Sequence, residues 1–166
     1  IGSRSAQFLQ RVMQQVNSVN AQFLCITGDF IDAPGIGEEQ LSALRSCPIP
    51  IYFTIGNHER YEDLDAIVQR LERLGINVLR TRTATQGEVQ LLGIDDSEHP
   101  GQVERELAKL EIDRDRFVLL LYHRPRGLVP EFEQADDAAP LRVDPQQILG
   151  LKLGLTEEGV GALGLE

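Results

Sequence analysis

Apolar and polar residues recur along this chain with two different periods, and the switches between them mark out its elements. Between Ser5 and Asn20, Phe8, Leu9, Val12, Met13, Val16 and Val19 fall at helical spacing and predict an amphipathic helix. Phe23 to Thr27, FLCIT, is a short apolar run that predicts a buried strand, and Gly28-Asp29-Phe30-Ile31-Asp32 follows it directly. Ala33 to Gly37 predicts a loop, and Glu38 to Arg45 a short helix with an acidic start. Past Pro48 and Pro50, Ile51 to Ile55 predicts a second buried strand that empties into Gly56-Asn57-His58-Glu59. Leu64, Ile67, Val68, Leu71 and Leu74 then set a helix over Glu62 to Leu74, stopped by Gly75. Ile76 to Leu79 and Glu88 to Ile94 predict two strands with Gln86-Gly87 as the turn between them, the second ending in Gly93-Ile94-Asp95-Asp96. A helix is expected over Gln102 to Leu110. Phe117 to Tyr122, the most apolar strand, ends on His123.

The periodicity fails after Gly127. Val129 to Leu141 is acidic and carries two prolines, and Leu149 to Leu165 mixes Leu with Gly at no clear period, so irregular or weakly ordered structure is expected. No internal repeat is visible. The element order predicts a layered α/β domain over 1–127 and a divergent, weakly ordered segment over 128–166. Strands separated by helices pair in parallel through right-handed crossovers, which collects their C-terminal ends on the edge where α/β folds keep their sites. Asp29, Asn57 and His123 each stand at such an end.

Composition narrows the function. With 166 residues and 42% hydrophobic content the chain can bury one sizeable core. A net charge of -10 opposes binding driven by phosphate neutralisation, so no sequence-specific nucleic-acid binding is expected. Cys25 and Cys47 have no CxxC spacing and read as buried free thiols in a reducing compartment, or as at most one disulfide. No stretch approaches the roughly 18 consecutive apolar residues of a membrane span, and no signal peptide opens the chain. Because it opens on Ile1 rather than Met, its true start is expected to be missing and its localisation stays unassigned.

One aspartate, one asparagine and one histidine offer hard oxygen and imidazole nitrogen donors, a set suited to Mn, Fe, Zn or Mg rather than to thiophilic metals. A carboxylate can bridge two ions, and two ions about 3.5 to 4 Å apart can clamp the phosphoryl oxygens of an in-line displacement. His58, beside Asn57, could protonate the leaving oxygen. Each residue also has a plainer reading: Asp29 as a loop cap, Asn57 as a turn residue, His123 as a histidine at the rim of the core. Asp32 reads more readily as a turn or supporting residue than as a ligand, His99 as a loop residue, and Asp95-Asp96 as a strand-end turn pair, with a paired carboxylate near a cleft as the alternative. The plainer readings do not predict all three residues at the ends of parallel strands.

Gly28-Asp29-Phe30-Ile31-Asp32, Gly56-Asn57-His58-Glu59 and a hydrophobic strand ending in His123, with Pro125 two residues on, together resemble the calcineurin-like metallophosphoesterases from Ile1 to about Gly127. Gly93-Ile94-Asp95-Asp96 is similar to the GxDD segment of bacterial, often membrane-tethered, members. The resemblance implies an α/β/β/α sandwich of two sheets flanked by helices, here incomplete, and hydrolysis of phosphate mono- or diesters by a hydroxide that two divalent metals (Mn, Fe, Zn or Mg) activate. It implies Asp29 as bridging ligand, Asn57 and His123 as ligands of the second metal, His58 as catalytic proton donor, and Asp32 and Glu59 as supporting neighbours. The substrate would be a small-molecule or lipid-like phosphate ester. Two motifs of the family are missing. Its first, Asp-x-His, is expected to precede Ile1, and its last, Gly-His-x-His, has no counterpart because no histidine follows His123. The chain is therefore expected to hold two metals, one or none, and a non-catalytic binding module with the same fold is the alternative. A missing first strand would leave the edge beside Phe23 to Thr27 unpaired, which invites self-association.

Overall fold

The computed structural model describes residues 1–2, 4–99, 101–124, 153–156 and 159–162, the last two stretches by their backbone alone. The chain forms two units, Ile1–Asp136 and Asp137–Glu166. In the first, a mixed α/β unit, four helices (α1 Ala6–Ser18, α2 Glu38–Leu41, α3 Leu64–Arg73, α4 Gln102–Leu107) accompany two small sheets. The first sheet has the order β1 (Leu24–Ile26), β2 (Ile51–Phe53), β3 (Asn77–Val78), all parallel, with Leu24 opposite Ile51 and Phe53 opposite Val78. The second has the order β4 (Arg82–Gln86), β5 (Val89–Gly93), β6 (Phe117–Leu121). There β4 runs antiparallel to β5, and β5 parallel to β6.

The helices start and stop for identifiable reasons. The Ser5 hydroxyl accepts from the Phe8 amide at 3.3 Å, and Asp63 Oδ1 accepts from Asp65 and Ala66 at 3.1 and 3.2 Å, so each first turn has a side-chain cap. Gly75, at φ 83°, ends α3 by donating to the Glu72 carbonyl, and Ile76 donates back to Leu71. The helix expected over Glu38 to Arg45 is α2 followed by a 3-10 turn, Ser42–Ser46, because Pro48 holds Cys47 in an extended conformation.

Two cores follow from strand alternation. Phe53 and Ile55 pack with Leu9, Met13 and Val16 of α1, with Leu41 and Leu44, and with Ile67 and Leu71 of α3. Tyr52 points the other way, with Cys25, to meet Leu91, Leu119 and Leu121 of the second sheet. Val19, expected on the buried stripe of α1, is 43% exposed because the helix has already ended.

One expectation is corrected. Gln86-Gly87 does not turn from Ile76–Leu79 into Glu88–Ile94; it joins β5 to β4, a strand absent from the sequence reading because RTATQ presents a single small apolar residue, Ala84, opposite Leu91. The strands that helices separate do pair in parallel, β1 with β2, β2 with β3 and β5 with β6; only β4 and β5, joined by a turn, run antiparallel. In the second unit, Leu153–Thr156 (β7) and Gly159–Ala162 (β8) pair antiparallel. The expected boundary at 127/128 and Pro125 lie outside the described residues. β1 pairs only with β2 among the described residues, so it is an edge strand. No helix among them is long and apolar enough to cross a membrane.

Both cysteines are free thiols. Burial pushes the Cys25 thiol up to about 11. At pH 8 its thiolate fraction is then about one in a thousand, and the thiolate is the nucleophile. Iodoacetamide at that pH is expected to alkylate Cys47 well ahead of Cys25 in the folded chain and both alike in urea. Equal rates in the folded chain, read by mass spectrometry of the two peptides, would contradict this placement.

Candidate functional site

The ends of β1, β2 and β6 meet, and the meeting is made mostly of backbone. After β1 the chain turns through Gly28 at φ 86° and Asp29 at φ 53°. A left-handed aspartate is tolerated but strained, of order 1 kcal/mol or more, and persists only where its surroundings hold it. Here the holder is Glu59. Its fully buried carboxylate accepts four backbone N–H groups: Asp29 at 2.9 Å and Gly56 at 2.9 Å on Oε2, Phe30 at 2.7 Å and Ile31 at 3.0 Å on Oε1. One side chain thus staples the turn after β1 to the turn after β2. The two turns approach so closely that a Cβ on Gly28 would overlap Gly56, and one on Gly56 would overlap the Asp29 amide and Oδ1.

The staple aims Asp29. Its Oδ1 accepts from the His58 backbone N–H at 2.9 Å, while its Oδ2 lies 3.8 Å from His58 Nε2 and 3.0 Å from His123 Nε2. His123 comes from the end of β6, and its Nδ1 meets the Thr27 carbonyl at 2.7 Å. A carbonyl only accepts, so Nδ1 donates to it, and Nε2 is left facing the carboxylate oxygen across a gap that a cation between them would fill. An imidazole oriented by a backbone carbonyl through its other nitrogen is the arrangement found at metal-ligating histidines.

Asp29, His58 and His123 are thus brought together. Asn57 opens the 3-10 turn His58–Tyr61, and its carbonyl accepts from Arg60 at 3.2 Å. The buried Glu59 carboxylate is taken up by its four backbone N–H groups. Asp32 stands apart, its amide donating to the Ile1 carbonyl at 3.1 Å. Among the described residues no group of three or more His, Cys, Asp or Glu side chains has the geometry to hold a metal ion.

A second cluster adjoins the site, at residues the sequence reading left as a turn pair. Asp96, 1% exposed, accepts a two-pronged contact from Arg124, Nε to Oδ1 at 2.8 Å and Nη2 to Oδ2 at 2.5 Å. Its amide donates to the Ile55 carbonyl at 2.9 Å and its carbonyl accepts from Arg60 Nη2 at 2.8 Å. The hydrogen bonds from Arg124 to Asp96 hold the guanidinium proton more firmly than usual. Asp95 accepts from Arg80 Nε at 2.8 Å, yet burial outweighs that guanidinium and pushes its carboxyl above the usual range. The available signal for Arg124 was a charged residue immediately after an apolar strand, paired in principle with the acidic doublet that ends the neighbouring one.

Comparison with known proteins adds a family match: the description Calcineurin-like phosphoesterase covers residues 2–144. The transmembrane protein with metallophosphoesterase domain of Danio rerio is 30% identical over 152 residues, 78% of this chain and 33% of that protein. An uncharacterized metallophosphoesterase of Helicobacter pylori is 22% identical over 136 residues, 73% of this chain and 35% of its own length. The chain therefore spans about a third of the length of these curated relatives. No solved structure matches.

Proposed function

The chain belongs to the calcineurin-like phosphoesterase family, and from that premise we propose that it carries part of the centre of a metal-dependent hydrolase of phosphate mono- or diesters, with Asp29, Asn57 and His123 as ligands and His58 as proton donor. The observation that carries the reading is the pair of electron-rich atoms, His123 Nε2 and Asp29 Oδ2, held 3.0 Å apart by the Thr27 carbonyl on one side and the Glu59 staple on the other. That donor set fits one divalent cation, the Asn57 amide completing it. It does not supply the ligands of a second, and the family's four-layer sandwich is likewise present only in part. A bound cation would polarise a phosphoryl oxygen and acidify water.

The chain's own groups do the rest. Asp29, whose Oδ1 is held by the His58 amide, would offer Oδ2 to such a cation. The His58 side chain is 42% exposed and lies 3.8 Å from Asp29, so it can reach the leaving oxygen of an ester approaching from solvent and hand it a proton. The substrate class fits a small-molecule or lipid-like phosphate ester.

The test is hydrolysis of bis-p-nitrophenyl phosphate and p-nitrophenyl phosphate by the Mn-loaded chain beside an Asp29→Asn control, with metal per chain measured after desalting. About one retained Mn, lost in the control together with turnover of either ester, is the expected result. Neither metal nor turnover would sink the proposal and leave the non-catalytic binding module, whose partner binding should survive Asn57→Ala and His123→Ala.

A further inference from the structure

We propose that Asp96 and Arg124 are positioning residues that set the His123 imidazole against Asp29, an inference that rests on reading His123 as a ligand. Sheet pairing ends just before His123: the last contact between β5 and β6 is the Ile94 amide on the Leu121 carbonyl at 3.2 Å. Tyr122 to Arg124 then leave the sheet. The Arg124 fork on Asp96, two parallel contacts from the residue next to His123, ties this exit down, and Arg124 Nη1 also meets Glu98 Oε1 at 3.4 Å. A fork defines orientation as well as distance, which a single contact does not.

Asp96 is in turn fixed to the turn that carries His58 and Glu59, and from both of its ends. Its amide meets the carbonyl of Ile55, just before Gly56, and its carbonyl meets the guanidinium of Arg60, just after Glu59. That same turn holds Asp29 through the Glu59 carboxylate and the His58 amide. The contacts close into a ring: Asp29, the 56–59 turn, Asp96, Arg124, His123, and back to Asp29 Oδ2 at 3.0 Å. Without the fork, the imidazole keeps its Thr27 contact but loses the constraint on the backbone that carries it. A displacement of about 1 Å at a ligand is enough to matter.

Arg124 is the safer residue to change, because its side chain is 28% exposed whereas Asp96 is buried. The experiment compares the full chain with Arg124→Lys, Arg124→Gln and the isosteric Asp96→Asn by imidazole 15N NMR, and titrates each with Co2+ by its visible spectrum. His123→Ala serves as a control, and amide spectra confirm the fold. In the parent the His123 signals should report one tautomer with the hydrogen on Nδ1. In all three variants they should move toward the average of two tautomers, and Co2+ affinity should fall tenfold or more, the usual size for a group that orients a ligand. Arg124→Lys is decisive, since it keeps the charge and loses the fork. A lysine variant that retains the parent's tautomer and Co2+ affinity would overturn the proposal, as would unchanged His123 signals in a folded Arg124→Gln. If the tautomer averages as expected but neither these variants nor His123→Ala changes Co2+ affinity, the positioning stands and the ligand reading of His123 fails.

Discussion

Glu59→Ala is expected to remove most of the stability of the first unit. The substitution strips a fully buried acceptor from four backbone N–H groups at once, those of Asp29 and Phe30, which are part-buried, and of Ile31 and Gly56, which are buried. Each buried donor left unpaired costs about 1 to 3 kcal/mol, so even the low end gives about 4 kcal/mol against a total that for a domain is about 5 to 15 kcal/mol. Glu59→Gln should fall between the two. Either orientation of its amide keeps one oxygen for two of the donors and turns N–H groups toward the other two. Urea unfolding followed by circular dichroism checks the order parent, Gln, Ala. An alanine variant within about 1 kcal/mol of the parent would show that the staple is not what holds the two turns, since that is the scale of an ordinary surface change.

The second large effect is expected at Gly56. Its conformation does not demand glycine, as its φ is not in the left-handed region, but its space does: an added Cβ would overlap the Asp29 amide nitrogen and Oδ1 and lie 3.0 Å from Glu59 Oε2. Two of the three atoms are side-chain oxygens already committed to hydrogen bonds, and the third is backbone, so none can yield cheaply. Gly56→Ala should therefore cost about 3 kcal/mol, the upper part of the usual overpacking range, and should abolish metal retention by moving Asp29. Gly75→Ala is the matched contrast. At φ 83° with nothing within 4 Å of the added carbon, it should cost only about 1 kcal/mol of backbone strain and leave metal retention intact. Similar losses for the two variants would mean that backbone freedom, rather than close approach, is what Gly56 supplies.

Much of the first unit was legible because the pattern and the packing say the same thing. Leu9, Met13 and Val16 on α1, or Ile67 and Leu71 on α3, are periodic in sequence and buried together in space. β4 was not legible: as an edge strand with one small apolar position it has almost no burial to advertise. At the site, Asp29, Asn57 and His123 stood out as residue types at strand ends and His58 by its place beside Asn57, and the structure sets Asp29 beside both histidines. The resemblance marked Glu59 only as a supporting neighbour; its four backbone contacts and the Asp96–Arg124 pair could not be read, because a carboxylate that binds backbone N–H groups or a neighbouring guanidinium looks, in sequence, like one facing water. Thr27 is further out of reach, since its carbonyl and not its side chain meets His123.

The contacts that build the site span very different lengths of chain. Glu59 reaches the Asp29 amide across 30 residues, whereas His123 reaches the Thr27 carbonyl across 96. Closing the longer loop costs about 1 kcal/mol more in chain entropy, and the segment that closes it leaves a ribosome tens of residues later. Every residue of the Glu59 staple is therefore in the chain before β6 is. A chain interrupted before β6 would carry Asp29, His58 and Glu59, the scaffold of the centre, without the imidazole that closes it.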